Sequence, residues 1–229
     1  MRVPQAVVGA PAVLLTPRGG QTKLRAMCNQ YGFKATLHRL IELFGSLDLV
    51  VESGGLPNFP DLEAIKPTDP APIARQEGEG RVALSQMRWG FPPGRPKAGP
   101  VINYRSEGRT FTTGRCLVPA THFFEFTGVK YPKTQWRFTT PASDVFAMAG
   151  LWRDTGEATG PRFTLLTIDP GPDVAPYHDR QIVPLMPDQW KAWLDPTVDA
   201  QSLLRAGPAG SLAVAQVVKG APAEAPRLF

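Results

Sequence analysis

Apolar residues recur at helical spacing in two stretches of the chain, residues 34–44 and residues 187–194. Thr36 stands near the start of the first stretch and Gly45 directly after it, as expected for a capped helix. The apolar positions are Leu37, Leu40, Ile41 and Phe44 in the first stretch, and Trp190, Trp193 and Leu194 in the second. The pattern therefore predicts two short amphipathic helices.

Short runs of β-branched and aromatic residues, separated by turn residues, account for much of the remaining chain. Residues 53–80 are rich in glycine, proline and acidic residues and predict a long loop. The predicted strands are residues 46–51, 81–87, 101–104, 116–118, 121–126, 135–139, 145–151, 162–168 and 212–218. Many short strands with few helices predict an α+β fold, in which a curled, mostly antiparallel and barrel-like sheet has a few flanking helices.

Composition supports this reading and suggests a compartment. Proline and glycine, at 25 and 22 residues, favour strands and turns over a helical bundle. No apolar run approaches the roughly 20 residues of a membrane helix, so we expect no membrane partner. Two cysteines do not form a disulfide framework, which fits a reducing cytoplasm, and we expect a monomer in the cytoplasm near the nucleoid.

The net charge of +5 is largely a property of the first 26 residues. That segment holds Arg2, Arg18, Lys23 and Arg25 and no acidic residue, which leaves 21 basic against 20 acidic residues in the remainder. A nearly neutral body cannot bind DNA by bulk charge, so any DNA site must be a local patch.

Residues 1–26 are interrupted by proline and glycine and predict no helix. They are either a disordered extension or a segment that is removed or never translated, with translation starting at Met27. We expect residues 27–229 to form a single domain.

If Met27 is the initiator and is removed, Cys28 carries a free α-amine beside its thiol. The amine, with a pKa of about 7.7–8, can condense with an aldehyde to an imine. The thiol can then close a five-membered thiazolidine ring, and intramolecular closures of this kind reach effective molarities of about 10⁵ M or more. The alternative is a buried structural cysteine.

Three further clusters offer candidate chemistry. Residues 103–107 end a predicted strand, and alternation places Asn103 and Arg105 on one side. Glu125 lies in an aromatic run, where burial would raise its pKa and suit acid–base catalysis, unless it alternates out to solvent. His178 can move a proton near neutral pH, or it can belong to a capped turn. No metal-ligand spacing or phosphate-binding glycine loop is present, so we expect no metal and no cofactor.

Six segments, in this order, resemble the SRAP (SOS response-associated peptidase) family over residues 27–220. They are Met27–Tyr31, Trp89–Pro93, Asn103–Glu107, the pair Arg115–Ala120 and His122–Phe126, Ala149–Trp152, and His178–Arg180. The resemblance implies a protein that crosslinks covalently to abasic sites in single-stranded DNA during the DNA damage response. It also implies that residues ahead of the cysteine are removed by the protein itself.

The resemblance also implies roles for individual residues. Cys28 would form the thiazolidine, Asn103 would hold the adduct, Glu125 would act in acid–base steps and His178 would assist proton transfer. The expected DNA contacts are Arg105, which holds the backbone, and Trp89, Phe91, Tyr104 and Ser106 around the lesion.

This chain departs from the family pattern beside the cysteine. Asn29 and Gln30 stand where the family has glycine and arginine, and Tyr104 replaces a small residue. If that arginine binds phosphate, the DNA contacts here are weaker or relocated. Two other readings stay open: a cysteine peptidase that uses Cys28, His178 and Asp179, and a non-enzymatic DNA-binding remnant.

Overall fold

The computed structural model describes residues 28–52, 61–156 and 160–220. The predictions for residues 1–26 and Met27 lie outside these ranges. The helices are α1 (Leu37–Gly45) and α2 (Pro187–Leu194), with a 3₁₀ helix at Ala200–Ser202. The strands are β1 (Tyr31–Phe33), β2 (Val50–Glu52), β3 (Leu62–Ile65), β4 (Pro70–Gly78), β5 (Arg81–Trp89), β6 (Asn103–Arg105), β7 (Arg115–Ala120), β8 (His122–Thr127), β9 (Thr134–Thr139), β10 (Phe146–Arg153), β11 (Arg162–Ile168), β12 (Gln181–Ile182), β13 (Pro184–Leu185) and β14 (Ala213–Val218).

Both predicted helices form, and α1 starts later than its pattern suggests. Thr36 is the N-cap: its backbone is extended and its hydroxyl accepts from the Arg39 amide at 3.1 Å. A hydroxyl at this position satisfies an amide that has no partner within the helix, which stabilises the start. The apolar faces of the two helices meet where the Phe44 and Trp190 rings lie 4.9 Å apart.

The strands form two sheets, and the predicted α+β class with a curled, mostly antiparallel sheet is confirmed. The first sheet has the order β14-β9-β8-β1-β3, and the second has the order β12-β11-β10-β7-β4-β5-β2. β6 pairs in parallel with β11, and β13 pairs with β10. β5 also makes a short parallel contact with β11, in which Arg88 and Trp89 pair with Arg162 and Phe163. The strands described here do not make one closed barrel.

The predicted loop over residues 53–80 is wrong from residue 62 onward, and its residues 53–60 lie outside the described ranges. Strands β3 and β4 lie there, and β4 buries Ala71, Ile73 and Ala74 between its neighbours. Pro72 pairs only with β5, whereas β7 reaches β4 at Ala74 and Arg75. A proline lacks an N–H and is tolerated where one side of a strand has no partner, so a proline-rich strand resembles a loop.

The topology brings distant segments to one place. Residues 28–30 lead into β1, which lies between β8 and β3 in the first sheet, while β6 extends the second sheet beside β11. Within the described ranges, no helix has the length and apolar character needed to cross a membrane.

Candidate active site

Cys28 lies three residues before β1 begins and is buried, with 1% of its surface exposed. The segment is held against β8 because the Phe124 amide donates to the Gln30 carbonyl at 3.0 Å. Burial raises the pKa of the Cys28 thiol well above its ordinary value, and the nearby Glu125 charge raises it further. The thiol therefore stays protonated at neutral pH.

Asn103 reaches Cys28 from the other sheet. β6 carries it, and its Nδ2 donates to the Cys28 carbonyl at 3.0 Å across 75 positions of sequence. Its Oδ1 is buried and makes no hydrogen bond within the structure. Buried acceptors without partners are uncommon, so this oxygen is available to a donor on a bound molecule.

Glu125 points into the protein from β8 and is 1% exposed, so the reading in which it faces solvent is wrong. Burial raises its pKa to about 8, the charge of Asp179 raises it too, and the Cys28 backbone N–H acts in the opposite direction. That N–H lies close to the carboxyl group, although neither carboxyl oxygen makes a hydrogen bond of ordinary geometry. Glu125 is consequently a protonated acid at neutral pH, next to the backbone nitrogen of Cys28.

The loop that carries His178 packs against the same pair of strands. The Tyr177 ring lies 4.7 Å from Trp136, which is the β9 partner of Glu125. His178 is 3% exposed, and its Nδ1 accepts from the Arg180 amide at 3.0 Å. An accepting nitrogen carries no proton, so the neutral ring has its proton on Nε2. The Asp179 carboxylate, 3.0 Å from Nδ1, forms an ion pair only when the ring is protonated.

Arg180 connects this loop to the strand that carries Asn103, a role that the sequence reasoning missed. Its guanidinium donates to Asp169 at 2.6 Å, to Glu107 at 2.8 Å and to the Thr167 carbonyl at 2.9 Å. Glu107 follows β6, and Thr167 lies on β11. The sequence offered one signal for this role, because Arg180 lies two residues after the predicted His178. The hydrogen-bond partners of Arg180 are distant in sequence, so they could not be identified from it.

Two predicted DNA contacts are buried in this structure. Trp89 is fully buried, with its Nε1 donating to the Ile102 carbonyl at 2.9 Å and its ring 5.2 Å from that of Tyr31. Ser106 is 1% exposed and donates to the Thr167 carbonyl at 3.0 Å. Neither side chain offers a surface to DNA, because core packing uses both, and these two predictions are wrong.

The other predicted DNA contacts differ in exposure: Arg105 is exposed, Tyr104 is half-buried and Phe91 is buried, with 6% of its surface exposed. Arg105 is exposed, and alternation along β6 places it on the same side as Asn103. Phe91 and Tyr104 line a groove of about 450 Å³. Two arginines of the same groove cover their rings, Arg153 at 4.2 Å from Phe91 and Arg109 at 4.6 Å from Tyr104. In the described part of the chain, no group of three or more side chains is arranged to hold a metal ion.

Comparisons with known proteins identify the family and the relatives of this chain. Residues 27–220 match the profile of a family described as SOS response associated peptidase (SRAP). The chain is 26% identical over 187 residues to the abasic site processing protein YobE of Bacillus subtilis, covering 74% of this chain and 83% of that protein. It is 27% identical over 187 residues to the abasic site processing protein YoqW of the same organism, covering 74% of this chain and 81% of that protein.

The fold is similar to that of solved structures. A crystal structure of a protein from Bordetella bronchiseptica matches with a TM-score of 0.65 at 22% identity, covering 84% of this chain and all (100%) of that chain. A crystal structure from Bacteroides thetaiotaomicron matches with a TM-score of 0.64 at 16% identity, covering 83% of this chain and 92% of that chain.

Proposed function

The chain belongs to the SOS response associated peptidase (SRAP) family, and from that premise we propose that it processes abasic sites by forming a covalent crosslink through Cys28. The names of its Bacillus subtilis relatives support abasic-site processing. The observation that carries the proposal is the meeting of Cys28, Asn103 and the buried acid Glu125, which come from three separate segments. Single-stranded DNA with an abasic site is the proposed partner.

The chemistry starts at the Cys28 nitrogen once it is a free amine. The amine adds to the ring-opened sugar aldehyde to form a carbinolamine, and loss of water from the carbinolamine gives an imine. The thiol then adds across the C=N bond, with sulfur bonding to carbon and the thiol proton passing to nitrogen. One water leaves in total, and the product is a thiazolidine.

Glu125 suits the dehydration step. Burial, the main cause of its raised pKa, still favours the protonated acid when the Cys28 amine is free and neutral, and the residue lies beside the Cys28 nitrogen where the carbinolamine hydroxyl must leave as water. After donating, the carboxylate can accept the proton of the Cys28 thiol. This second role matters because burial disfavours the free thiolate.

Asn103 and His178 hold the reacting groups. Asn103 fixes the Cys28 carbonyl and leaves its Oδ1 free to accept a hydrogen bond from a sugar hydroxyl or the adduct nitrogen. The Nε2–H of His178 is a donor suited to the sugar oxygen, and it becomes a stronger acid when the ring is protonated. Arg105 is placed to contact the DNA backbone, with Phe91 and Tyr104 lining the path of the strand.

The test compares proteins that differ only at the first residue. A chain starting at Cys28, made by initiation at Met27, is mixed with a single-stranded oligonucleotide containing one abasic site. We expect an adduct that survives denaturation and has the summed mass less one water. Cys28→Ser keeps the amine but lacks the thiol. Its imine should be trapped when borohydride is present, and no stable adduct should form when borohydride is absent. If Cys28→Ala forms the same stable adduct, the proposal fails.

The N-terminal segment gives a second test. The full 229-residue chain should form the adduct only after residues 1–27 are removed, and intact mass should show active protein beginning at Cys28. Glu125→Gln should slow both this removal and crosslinking if Glu125 protonates the nitrogen in each reaction. Active protein that begins at Met1 would contradict the requirement for a free amine.

The cysteine peptidase alternative needs His178 as a general base oriented by Asp179. The Asp179 carboxylate lies 3.0 Å from Nδ1, where an orienting acid would lie, and the Arg180 amide donates to the same nitrogen at 3.0 Å. Burial raises the pKa of the Cys28 thiol, which disfavours the thiolate that a cysteine peptidase needs and so favours the crosslinking proposal. Turnover of peptides in trans by a chain that retains Met27 would restore the alternative.

A further inference from the structure

A second pocket begins at the residues that directly follow Cys28. Asn29 and Gln30 line it, together with Lys66, Pro67, Phe126, Tyr131 and Lys133, and its volume is about 250 Å³. The pocket lies between the segment after Cys28 and the turn that joins β8 to β9. The segment that lines the pocket directly follows Cys28, and β8 carries both Phe126 of the pocket and Glu125. The pocket therefore adjoins the candidate active site.

The turn between β8 and β9 presents an unusually exposed ring. Tyr131 is 85% exposed, although a tyrosine normally buries most of its apolar body. The Lys133 ammonium lies 5.6 Å from the centre of that ring. An exposed aromatic face beside a cation is the arrangement on which bases of a single nucleic-acid strand stack.

The charges of the pocket are complementary to phosphate. Its lining holds two lysines, Lys66 and Lys133, and no carboxylate. Two acidic residues close in sequence to Lys66 are otherwise engaged: Asp69 accepts from the Lys66 backbone amide at 2.9 Å, and Glu63 pairs with Lys34. Lys66 is exposed and makes no ion pair among the residues that the structure describes, so its ammonium can extend toward a ligand.

We propose that this pocket binds the nucleotide next to the abasic site on the same DNA strand, with its phosphate between Lys66 and Lys133 and its base on Tyr131. The inference rests on the proposed function and deepens it.

The experiment measures non-covalent binding by the full-length chain. The probe is a single-stranded oligonucleotide with one tetrahydrofuran abasic analogue, which has no aldehyde and cannot crosslink. Affinity is followed by fluorescence anisotropy over a series of salt concentrations. The variants are Lys66→Gln with Lys133→Gln, Tyr131→Ala and Tyr131→Phe, and the charge control is Lys191→Gln, an exposed lysine of α2.

The double lysine variant should weaken binding and reduce the slope of log K against log salt by about 0.7, since the two lysines share one phosphate and each single-strand phosphate contact contributes about 0.7. Tyr131→Ala should weaken binding about 5- to 100-fold with the slope unchanged, because stacking is lost and no charge is removed. Tyr131→Phe and Lys191→Gln should bind like the wild type. Two shortened strands, each ending at the analogue on one of its two sides, locate the nucleotide. The effects of Lys66→Gln, Lys133→Gln and Tyr131→Ala should disappear with one of these strands and persist with the other.

The results separate this inference from the proposed function. If the wild type crosslinks a true abasic site but the pocket variants keep wild-type affinity and slope, the pocket inference is overturned alone. If the pocket variants lose affinity as stated but the wild type forms no adduct, the pocket stands as a DNA site and the crosslinking proposal fails. Equal loss of affinity in Lys191→Gln would overturn the pocket inference, because the effect would then come from net charge.

Discussion

Replacing Glu125 with glutamine should remove a large pH dependence from the stability of the protein. The glutamine side chain has the same shape and never ionises, so it keeps the packing and removes the titration. In the wild type, the folded state holds the Glu125 proton up to a pKa of about 8, whereas the unfolded chain releases it at the ordinary value of 4.5. The stability that this group supports is therefore fully present below pH 4.5 and is lost as the pH rises toward 8.

The magnitude follows from the two pKa values. Each pKa unit corresponds to about 1.36 kcal/mol, so the free energy of unfolding should fall by about 5 kcal/mol in total, of which about 3.5 kcal/mol is lost between about pH 5 and pH 8. Burial is the main cause, because an ionised carboxylate is costly in an interior where neither oxygen of Glu125 makes a hydrogen bond of ordinary geometry. The quantity to measure is the wild-type free energy of unfolding minus that of Glu125→Gln at each pH.

Urea unfolding at a series of pH values under reducing conditions gives this difference. Glu79→Gln makes the same chemical change at an exposed position, and its difference from the wild type should stay within about 0.5 kcal/mol. In protein that begins at Cys28, the ammonium beside Glu125 favours the carboxylate, so the loss with rising pH should be smaller. A flat difference for Glu125→Gln from pH 5 to pH 8 in the full chain would refute the buried-acid argument and its role in dehydration.

Three further substitutions test separate parts of the structure. Arg115→Met should destabilise the protein by about 2–4 kcal/mol in urea unfolding, because it leaves three carbonyls within 2.8 Å of the guanidinium without a donor. Trp89→Leu should cost about 2–4 kcal/mol of stability, since the ring is fully buried, and a loss of DNA affinity without loss of stability would show that the ring faces the strand instead. Asn103→Ala should lower the single-turnover crosslinking rate by at least about 10-fold while costing about 1 kcal/mol in unfolding, and an unchanged rate would remove Asn103 from the reaction.

Local patterns were sufficient where the determining neighbours are close in sequence. The α1 and α2 helices follow from apolar residues three and four positions apart, and the Thr36 cap acts within three residues. The candidate residues Cys28, Asn103 and Glu125 could be named in advance because their side-chain chemistry is visible in the sequence. Hydrophobic alternation likewise indicated most strands, because burial of one face repeats every second residue.

Tertiary structure decided the features that depend on which segments meet. β4 was missed because its burial comes from β5 and β7, while its own prolines resemble a loop. Trp89 and Ser106 looked available to DNA until packing enclosed them. The sequence alone left Glu125 free to face either way, and only the segment of Cys28 folded over β8 makes it a buried acid. A pKa reflects the solvent and charges around a group in three dimensions, so residue type and spacing identify the acid but cannot determine when it ionises.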